Sequence, residues 1–147
     1  MPIKTFRGLI ADGAQDTIVL HTNDGSMGYR IVKFQVIGNN PAAQDQEAIV
    51  QIWKVEQTLP TSELIDFSDQ TLLAAAYSSG GSTTTKPQDE VIVFDREIFN
   101  QDIYVTLKDD TDNESMNYYI ELEQIKLDLG QNTVATLKDI RNITGPT

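Results

Sequence analysis

The single histidine, His21, is the first residue to consider for catalysis or metal binding. A catalytic triad or a zinc site needs partners at defined spacings, and neither Gly-x-Ser-x-Gly nor His-Glu-x-x-His accompanies this residue. The chain contains no cysteine, which excludes a thiolate nucleophile and a cysteine-based zinc site. We interpret His21 as a turn or surface histidine, and we expect no catalytic residue and no cofactor.

Carboxylates are grouped just after one predicted strand, where they could offer oxygen ligands to a hard cation. The group consists of Asp109, Asp110, Asp112 and Glu114. The segment lacks the glycine and the distal glutamate that a calcium loop requires. We expect a solvated acidic turn, with weak calcium binding at a subunit contact as the alternative.

A second pair of carboxylates, Glu121 and Glu123, shares one face of a predicted strand, about 7 Å apart by strand rise. A glycosidase pair also needs a cleft and one raised pKa, and the spacing alone provides neither. We interpret these glutamates as the polar face of a strand.

Tyrosines are the side chains best suited to contact a partner or to stack on a sugar. Neighbouring residues on a strand point to opposite faces, so Tyr118-Tyr119 predicts one core tyrosine and one outside. The predicted interface residues are Tyr29, Tyr104, Tyr119, Leu137 and Ile140. For sugar binding, the candidates are Tyr77, Tyr104, Tyr119 and the loop 78–87; all five tyrosines could also form one stacking platform.

A period of two dominates the elements that must position these residues. Segments 29–36, 49–56, 103–108 and 118–122 alternate apolar and polar side chains, which predicts half-buried strands. In the first, Val32 and Phe34 are expected to share a face. Beyond Leu122 the apolar parity changes, which predicts a bulge or a bend there. Residues 72–77 fit a strand or a helical turn equally well.

Short strands at intervals of about ten residues, separated by Gly, Asp and Asn turns, predict an all-β fold. The expected architecture is an antiparallel β-sandwich or jelly roll, with Trp53 in the core if its indole N–H finds a partner. The length of 147 residues fits one domain, 1–147. Residues 1–6 are predicted to be an N-terminal arm and residues 133–147 a C-terminal helix or arm.

The formal net charge of −11 makes a nucleic-acid-binding face improbable, because phosphate binding needs clustered Lys and Arg. No run approaches the roughly 20 apolar residues of a membrane-spanning helix. We therefore expect neither nucleic acid nor membrane as a partner.

Several segments together resemble one group of proteins: FRGLIADG at 6–13, TNDG at 22–25, GYRI at 28–31, IDFS at 65–68, IFNQDIYV at 98–105, NYYIEL at 117–122 and ATLKDIRN at 135–142. The chain resembles small virion proteins of marine tailed bacteriophages. The resemblance implies a structural protein of the virion. The N-terminal sequence, which lacks the apolar core of a signal peptide, predicts synthesis in the host cytoplasm, and the acidic charge predicts a position on the capsid exterior. The expected role of the protein is that of a decoration or cement protein that bridges major capsid subunits or other virion subunits, as a homo-oligomer with a trimer favoured. The alternative is a module on a phage head, tail or fibre that binds carbohydrate or the host surface.

Overall fold

The computed structural model describes residues 2–41, 46–60, 63–80, 89–110 and 113–128. Within these residues the chain forms eight strands and no helix. The strands are β1 (Ile3–Ile10), β2 (Gln15–Ile18), β3 (Met27–Gly38), β4 (Gln46–Trp53), β5 (Leu72–Gly80), β6 (Asp89–Val93), β7 (Ile103–Asp109) and β8 (Met116–Lys126).

These strands form two antiparallel sheets that pack against each other. The three-stranded sheet has the order β1-β8-β3, and the five-stranded sheet has the order β2-β7-β4-β5-β6. β3 packs across the gap against β5 and β6. The prediction of an all-β antiparallel sandwich is confirmed.

The strand pairs are nested within one another along the chain. β1 pairs with β8, β2 with β7, and β4 with β5. Between the second and third pairs, Tyr29 at the start of β3 forms a bridge with Phe99. This nesting is similar to that of a jelly roll, except that β6 pairs with β5 and a single bridge stands where β3 and β6 would pair.

The core between the sheets is built from the inward rows of the strands. Central members are Ile52, Val105, Leu107, Ile120 and Leu122, each with no measurable exposure. Because side chains alternate across a strand, every second residue of β4, β7 and β8 enters this layer. The apolar side chains that the period of two predicted for these three strands thus form the layer between the two sheets.

A second buried layer lies on the outer face of the five-stranded sheet. Trp53 belongs to this layer, because its neighbour Ile52 faces the core between the sheets. Its indole Nε1–H donates to Thr106 Oγ1 at 3.0 Å, which confirms the predicted need for a partner. Gln51, 1% exposed, donates from Nε2 to the Leu64 carbonyl of the β4–β5 connection, which covers this face. The connection therefore buries polar and aromatic side chains that an open sheet would leave in water.

A bulge in β3 changes the predicted faces of that strand. The register with β8 shifts between Ile31 and Lys33, so Ile31 and Phe34 both enter the core while Val32 stays exposed. The prediction that Val32 and Phe34 share a face is wrong. The bulge predicted in β8 beyond Leu122 is wrong as well, because β8 pairs regularly through Lys126. β8 is a middle strand, where a bulge would disturb two ladders, whereas β3 is an edge strand and only one ladder is disturbed.

The N-terminal segment differs from the predicted arm, because it forms part of β1. Residues 3–6 are not a free arm, since they pair with residues 120–123 of β8. The backbone N–H and C=O groups of this segment gain ladder partners that a free arm would lack. Residues 72–77, left open between strand and helical turn, lie in β5. The predicted C-terminal helix or arm, 133–147, lies outside the described residues.

A tyrosine ties the two sheets together at one end of β8. Tyr118 is buried, and its Oη donates to Asp16 Oδ2 on β2 at 3.0 Å. Burial, and then the charge of Asp16, raises the pKa of this phenol. The ring passes directly over Gly8, where a Cβ would lie 2.8 Å from the Tyr118 hydroxyl oxygen. Glycine at this position therefore makes room for the tie between the sheets.

We expect the substitution Gly8→Ala to lower the free energy of unfolding by about 1–3 kcal/mol, since the added methyl group must displace the Tyr118 ring. Chemical denaturation measures this loss. The variant Tyr118→Phe, which loses the hydroxyl but keeps the ring, serves as the control and should cost about 1 kcal/mol. Unchanged stability of Gly8→Ala would contradict the close contact.

A buried ion pair anchors the start of the β4–β5 connection. Lys54 Nζ lies 2.5 Å from Glu97 Oε1. The lysine side chain is 1% exposed, whereas the glutamate side chain is 30% exposed. If one partner were removed, water could therefore solvate the remaining Glu97 carboxylate but not the remaining Lys54 ammonium group.

Glu97→Ala should destabilise the protein more than Lys54→Met does. The first variant leaves a buried ammonium group without its carboxylate, a loss of about 3 kcal/mol, while the second leaves a carboxylate that water can reach. Comparing the two free energies of unfolding by urea titration tests the difference. Equal losses, or a larger loss for Lys54→Met, would show that burial of the ammonium group is not the controlling factor.

Candidate functional site

His21 is part of a turn that is closed by hydrogen bonds to Asp102. Its Nδ1 lies 2.7 Å from Asp102 Oδ1, and the same oxygen accepts the backbone N–H groups of Leu20 and His21. The imidazole is half exposed, and among the described residues no serine or threonine hydroxyl is hydrogen-bonded to it. The arrangement fits the interpretation of His21 as a turn histidine.

The Asp102 carboxylate is stabilised in its charged form. Burial by itself raises the pKa of Asp102. Hydrogen bonds from the His21 ring and from the Leu20 and His21 backbone lower this pKa by more, so that the net shift is downward from 3.8. The charged carboxylate thus ties the segment after β2 to the segment before β7.

Asp109 is a structural residue, because both of its carboxylate oxygens are used by the backbone. Oδ2 accepts the Glu114 N–H at 2.9 Å, and Oδ1 accepts the Glu47 N–H at 3.4 Å. The residue has no measurable exposure. Asn113, at φ 56°, takes the left-handed conformation that this turn requires.

The described members of the predicted cation site, Asp109, Asp110 and Glu114, do not form a metal-binding group. Asp110 is exposed. A side-chain hydrogen bond between Asp110 and Glu63, and then the repulsion between the two carboxylates, raises the pKa of Glu63. Glu114 is half-buried, and Asp112 lies outside the described residues. In the part of the chain that the structure describes, no three His, Cys, Asp or Glu side chains form a group able to hold a metal ion.

The tyrosines do not form one platform. Tyr29 is 3% exposed and stacks on Phe99 with ring centroids 6.3 Å apart, so its prediction as an interface residue is wrong. It lies in the core because the β3 register before the bulge turns it inward. Tyr77 and Tyr104 belong to the five-stranded sheet, whereas Tyr119 lies on the three-stranded sheet.

Tyr118 and Tyr119 do point to opposite faces, as predicted: Tyr118 is buried and Tyr119 is half-buried. Burial, followed by the charges of Asp102 and Glu56, raises the pKa of Tyr104, which is also half-buried. The other two predicted interface residues, Leu137 and Ile140, lie outside the described residues.

Glu121 and Glu123 each have a partner on the outer face of the three-stranded sheet. Glu121 Oε2 accepts the Tyr119 hydroxyl at 2.7 Å, and Glu123 Oε2 accepts Arg30 Nη2 at 3.0 Å. The outward position predicted for both glutamates is confirmed, and their contacts are those of a polar strand face.

A groove of about 700 Å³ opens on the outer face of the three-stranded sheet. Two cross-strand rows supply its outward side chains: Arg7, Tyr119 and Gln35 in one row, and Leu9, Asn117 and Ile37 in the other. Apolar and hydrogen-bonding groups therefore alternate over a surface three strands wide.

The second candidate surface is apolar and lies on the β4–β5 connection. We call it the connection patch; it comprises Leu59, Leu64, Ile65 and Phe67, which are 76%, 77%, 41% and 53% exposed. Large apolar side chains concentrated in one short segment are typical of protein contact surfaces.

Hydrogen bonds and ring packing fix the connection on both sides of the patch. Gln57 N–H donates to Gln15 Oε1 at 2.8 Å, and Gln15 Nε2 donates back to the Gln57 carbonyl. Asp66 Oδ1 accepts both the N–H and the hydroxyl of Ser68. The Phe67 ring packs edge-on against Phe94 at 5.3 Å. The described chain on either side of the patch is therefore anchored to the sandwich, through Gln57 on one side and Phe67 on the other.

Sequence reasoning missed most residues of both surfaces. Of the groove only Tyr119 was predicted, because Arg7, Gln35 and Asn117 become neighbours only through strand pairing. The connection patch has a weak signal in the sequence: Leu64 and Ile65 stand in a polar segment without period-two alternation.

Comparisons with known proteins found no match: no family model, no curated protein and no solved structure is similar to this chain. In the residues that the structure describes, no helix is long and apolar enough to cross a membrane.

Replacing Asp102 with Asn should lower stability near neutral pH by about 2 kcal/mol, because three hydrogen bonds to a charged group are weakened. The pKa of Asp102 is lowered in the folded protein, so its contribution is present above 3.8 and is lost as pH falls through the folded value. The stability difference between wild type and variant should therefore shrink in acid. Thermal unfolding across this range measures it, with exposed Asp89→Asn as the control; a difference independent of pH would contradict the assignment.

Proposed function

We propose that this protein is a structural component of a tailed-bacteriophage particle, a capsid decoration or cement protein that bridges major capsid subunits. Two lines of support are the resemblance spread over the length of the chain and the strand nesting similar to that of a jelly roll, a fold that is common among capsid proteins. A particle component of this kind acts through shape and contact.

The connection patch is the observation that carries the proposal. Burying an exposed Leu or Phe side chain fully contributes about 1.5–3 kcal/mol. Because Gln57 and Phe67 already contact the sandwich, the segment would lose less conformational freedom on docking than a free loop would. A capsid subunit with a complementary apolar surface would be the partner.

Symmetry would multiply a modest contact. A homo-oligomer, with a trimer favoured, presents the same patch several times to a repeating lattice. Each further contact is then intramolecular, so the whole assembly binds far more tightly than one copy.

The charge of the chain supports a position on the outer surface of the particle. A net charge of −11 repels packaged nucleic acid and favours solubility. In this proposal the chain is synthesised in the host cytoplasm and joins the exterior of the assembled capsid.

The test is co-sedimentation of purified protein with capsids that lack it, prepared from the phage that encodes the chain. Leu64→Asp and Phe67→Asp should each weaken binding by about tenfold or more, since each places a charge in an apolar contact. Val19→Asp changes an equally exposed apolar residue outside the patch and should bind as the wild type does.

Sedimentation equilibrium of the free protein gives the oligomeric state in the same series. A protein that stays monomeric and never sediments with capsids would overturn the proposal. Equal binding by the Leu64 and Val19 variants would leave the role possible but would exclude the connection patch as the contact.

A further inference from the structure

The groove on the three-stranded sheet has the dimensions of a ligand site. Its volume of about 700 Å³ lies within the range of roughly 300–1,000 Å³ common for small-molecule pockets. Neighbouring strands are about 4.8 Å apart, so the rows from β1 across β8 to β3 span about 10 Å. A disaccharide or a segment of similar size fits across the rows.

Tyr119, on the middle strand β8 between Arg7 and Gln35, lies at the centre of the groove. Its hydroxyl donates to Glu121 Oε2, two residues further along the same face of β8, at 2.7 Å. To reach that carboxylate, the side chain must lean along the strand rather than stand upright. This half-buried residue lines the groove, where its ring is available to a ligand. An aromatic face with its negative quadrupole attracts the C–H groups of a flat apolar surface.

Polar side chains with unused hydrogen-bonding groups surround this ring. Arg7 and Gln35 flank Tyr119 on the adjacent strands, and Asn117 precedes it on the same face. Within the described residues, none of these three side chains makes a hydrogen bond to the protein. Together they offer guanidinium and amide donors and two amide acceptors, a set that suits ligand hydroxyls that both donate and accept.

Two aliphatic side chains complete the groove. Leu9 and Ile37, on either side of Asn117, are 53% and 59% exposed. The groove thus combines apolar contact on three strands with hydrogen-bonding groups between the contacts. Sugars have this composition: rings with apolar faces and hydroxyls around the edge.

We propose that this groove binds a neutral oligosaccharide. A neutral ligand is favoured because Arg7 is the only cation among the described lining residues and the chain carries a net charge of −11. An anionic sugar would meet this negative charge with Arg7 as the one cation in the described lining, while Lys33 lies on β3 opposite Glu121, outside that lining. The site is independent of the connection patch, which belongs to the other side of the sandwich.

The experiment is a glycan array probed with the full chain, carrying neutral and anionic oligosaccharides side by side, followed by calorimetric titration of the neutral sugars that bind. Tyr119→Ala should weaken binding by about tenfold or more, and Asn117→Ala by about fivefold. Tyr119→Phe keeps the stacking ring and should retain most of the affinity. The matched controls are Tyr104→Ala, on the other sheet, and Asn39→Ala, on an exposed turn, and both should bind as the wild type does.

Thermal unfolding of each variant shows whether the fold is intact, and Asn117→Ala keeps the test valid if Tyr119→Ala unfolds. The proposal is overturned if no neutral oligosaccharide binds, if only anionic ones bind, or if the groove and control variants bind equally. It is also overturned if no sugar binds and Tyr119→Ala weakens co-sedimentation with capsids, because the groove would then be a protein contact. Loss of capsid binding by the connection-patch variants alone would leave the sugar site unaffected.

Discussion

The apolar layer between the two sheets holds this molecule together, and the inward rows of β7 and β8 form its centre. Val105, Leu107, Ile120 and Leu122 have no measurable exposure, and the chain has no cysteine that could add a covalent link. Stability must come from burial of apolar surface and from the backbone ladders that burial enforces. The nested strand pairs follow from this constraint, since they let one chain cover both sides of a single core.

Polar contacts at the margin of this layer make the sandwich a rigid support. Tyr118 joins β8 to Asp16 on the other sheet, and Lys54 joins the β4–β5 connection to Glu97. Each contact uses a group that would be costly to bury alone, so each has one well-defined geometry. The connection in turn closes the outer face of the five-stranded sheet over Gln51. Surface residues next to these contacts are therefore fixed in position.

The two candidate surfaces lie on opposite sides of this support. The connection patch belongs to the segment over the five-stranded sheet, and the groove opens on the three-stranded sheet. A protein seated on a particle through the first surface would leave the second exposed to the surroundings. The proposed capsid role and the proposed sugar site are thus geometrically compatible, although each depends on different residues and is tested separately.

From the sequence alone, alternation predicted strands in four segments that lie wholly or largely in β3, β4, β7 and β8, together with the all-β class, the outward glutamates of β8 and the opposite faces of Tyr118 and Tyr119. These features depend on the period of side chains along one strand, which is a local property. The tertiary structure decided four other features: the burial of Tyr29, the bulge at Val32, the pairing of residues 3–6 and the groove around Tyr119. Strand order and register join residues that are far apart in the chain, and alternation along a single strand carries no information about which strand lies beside it.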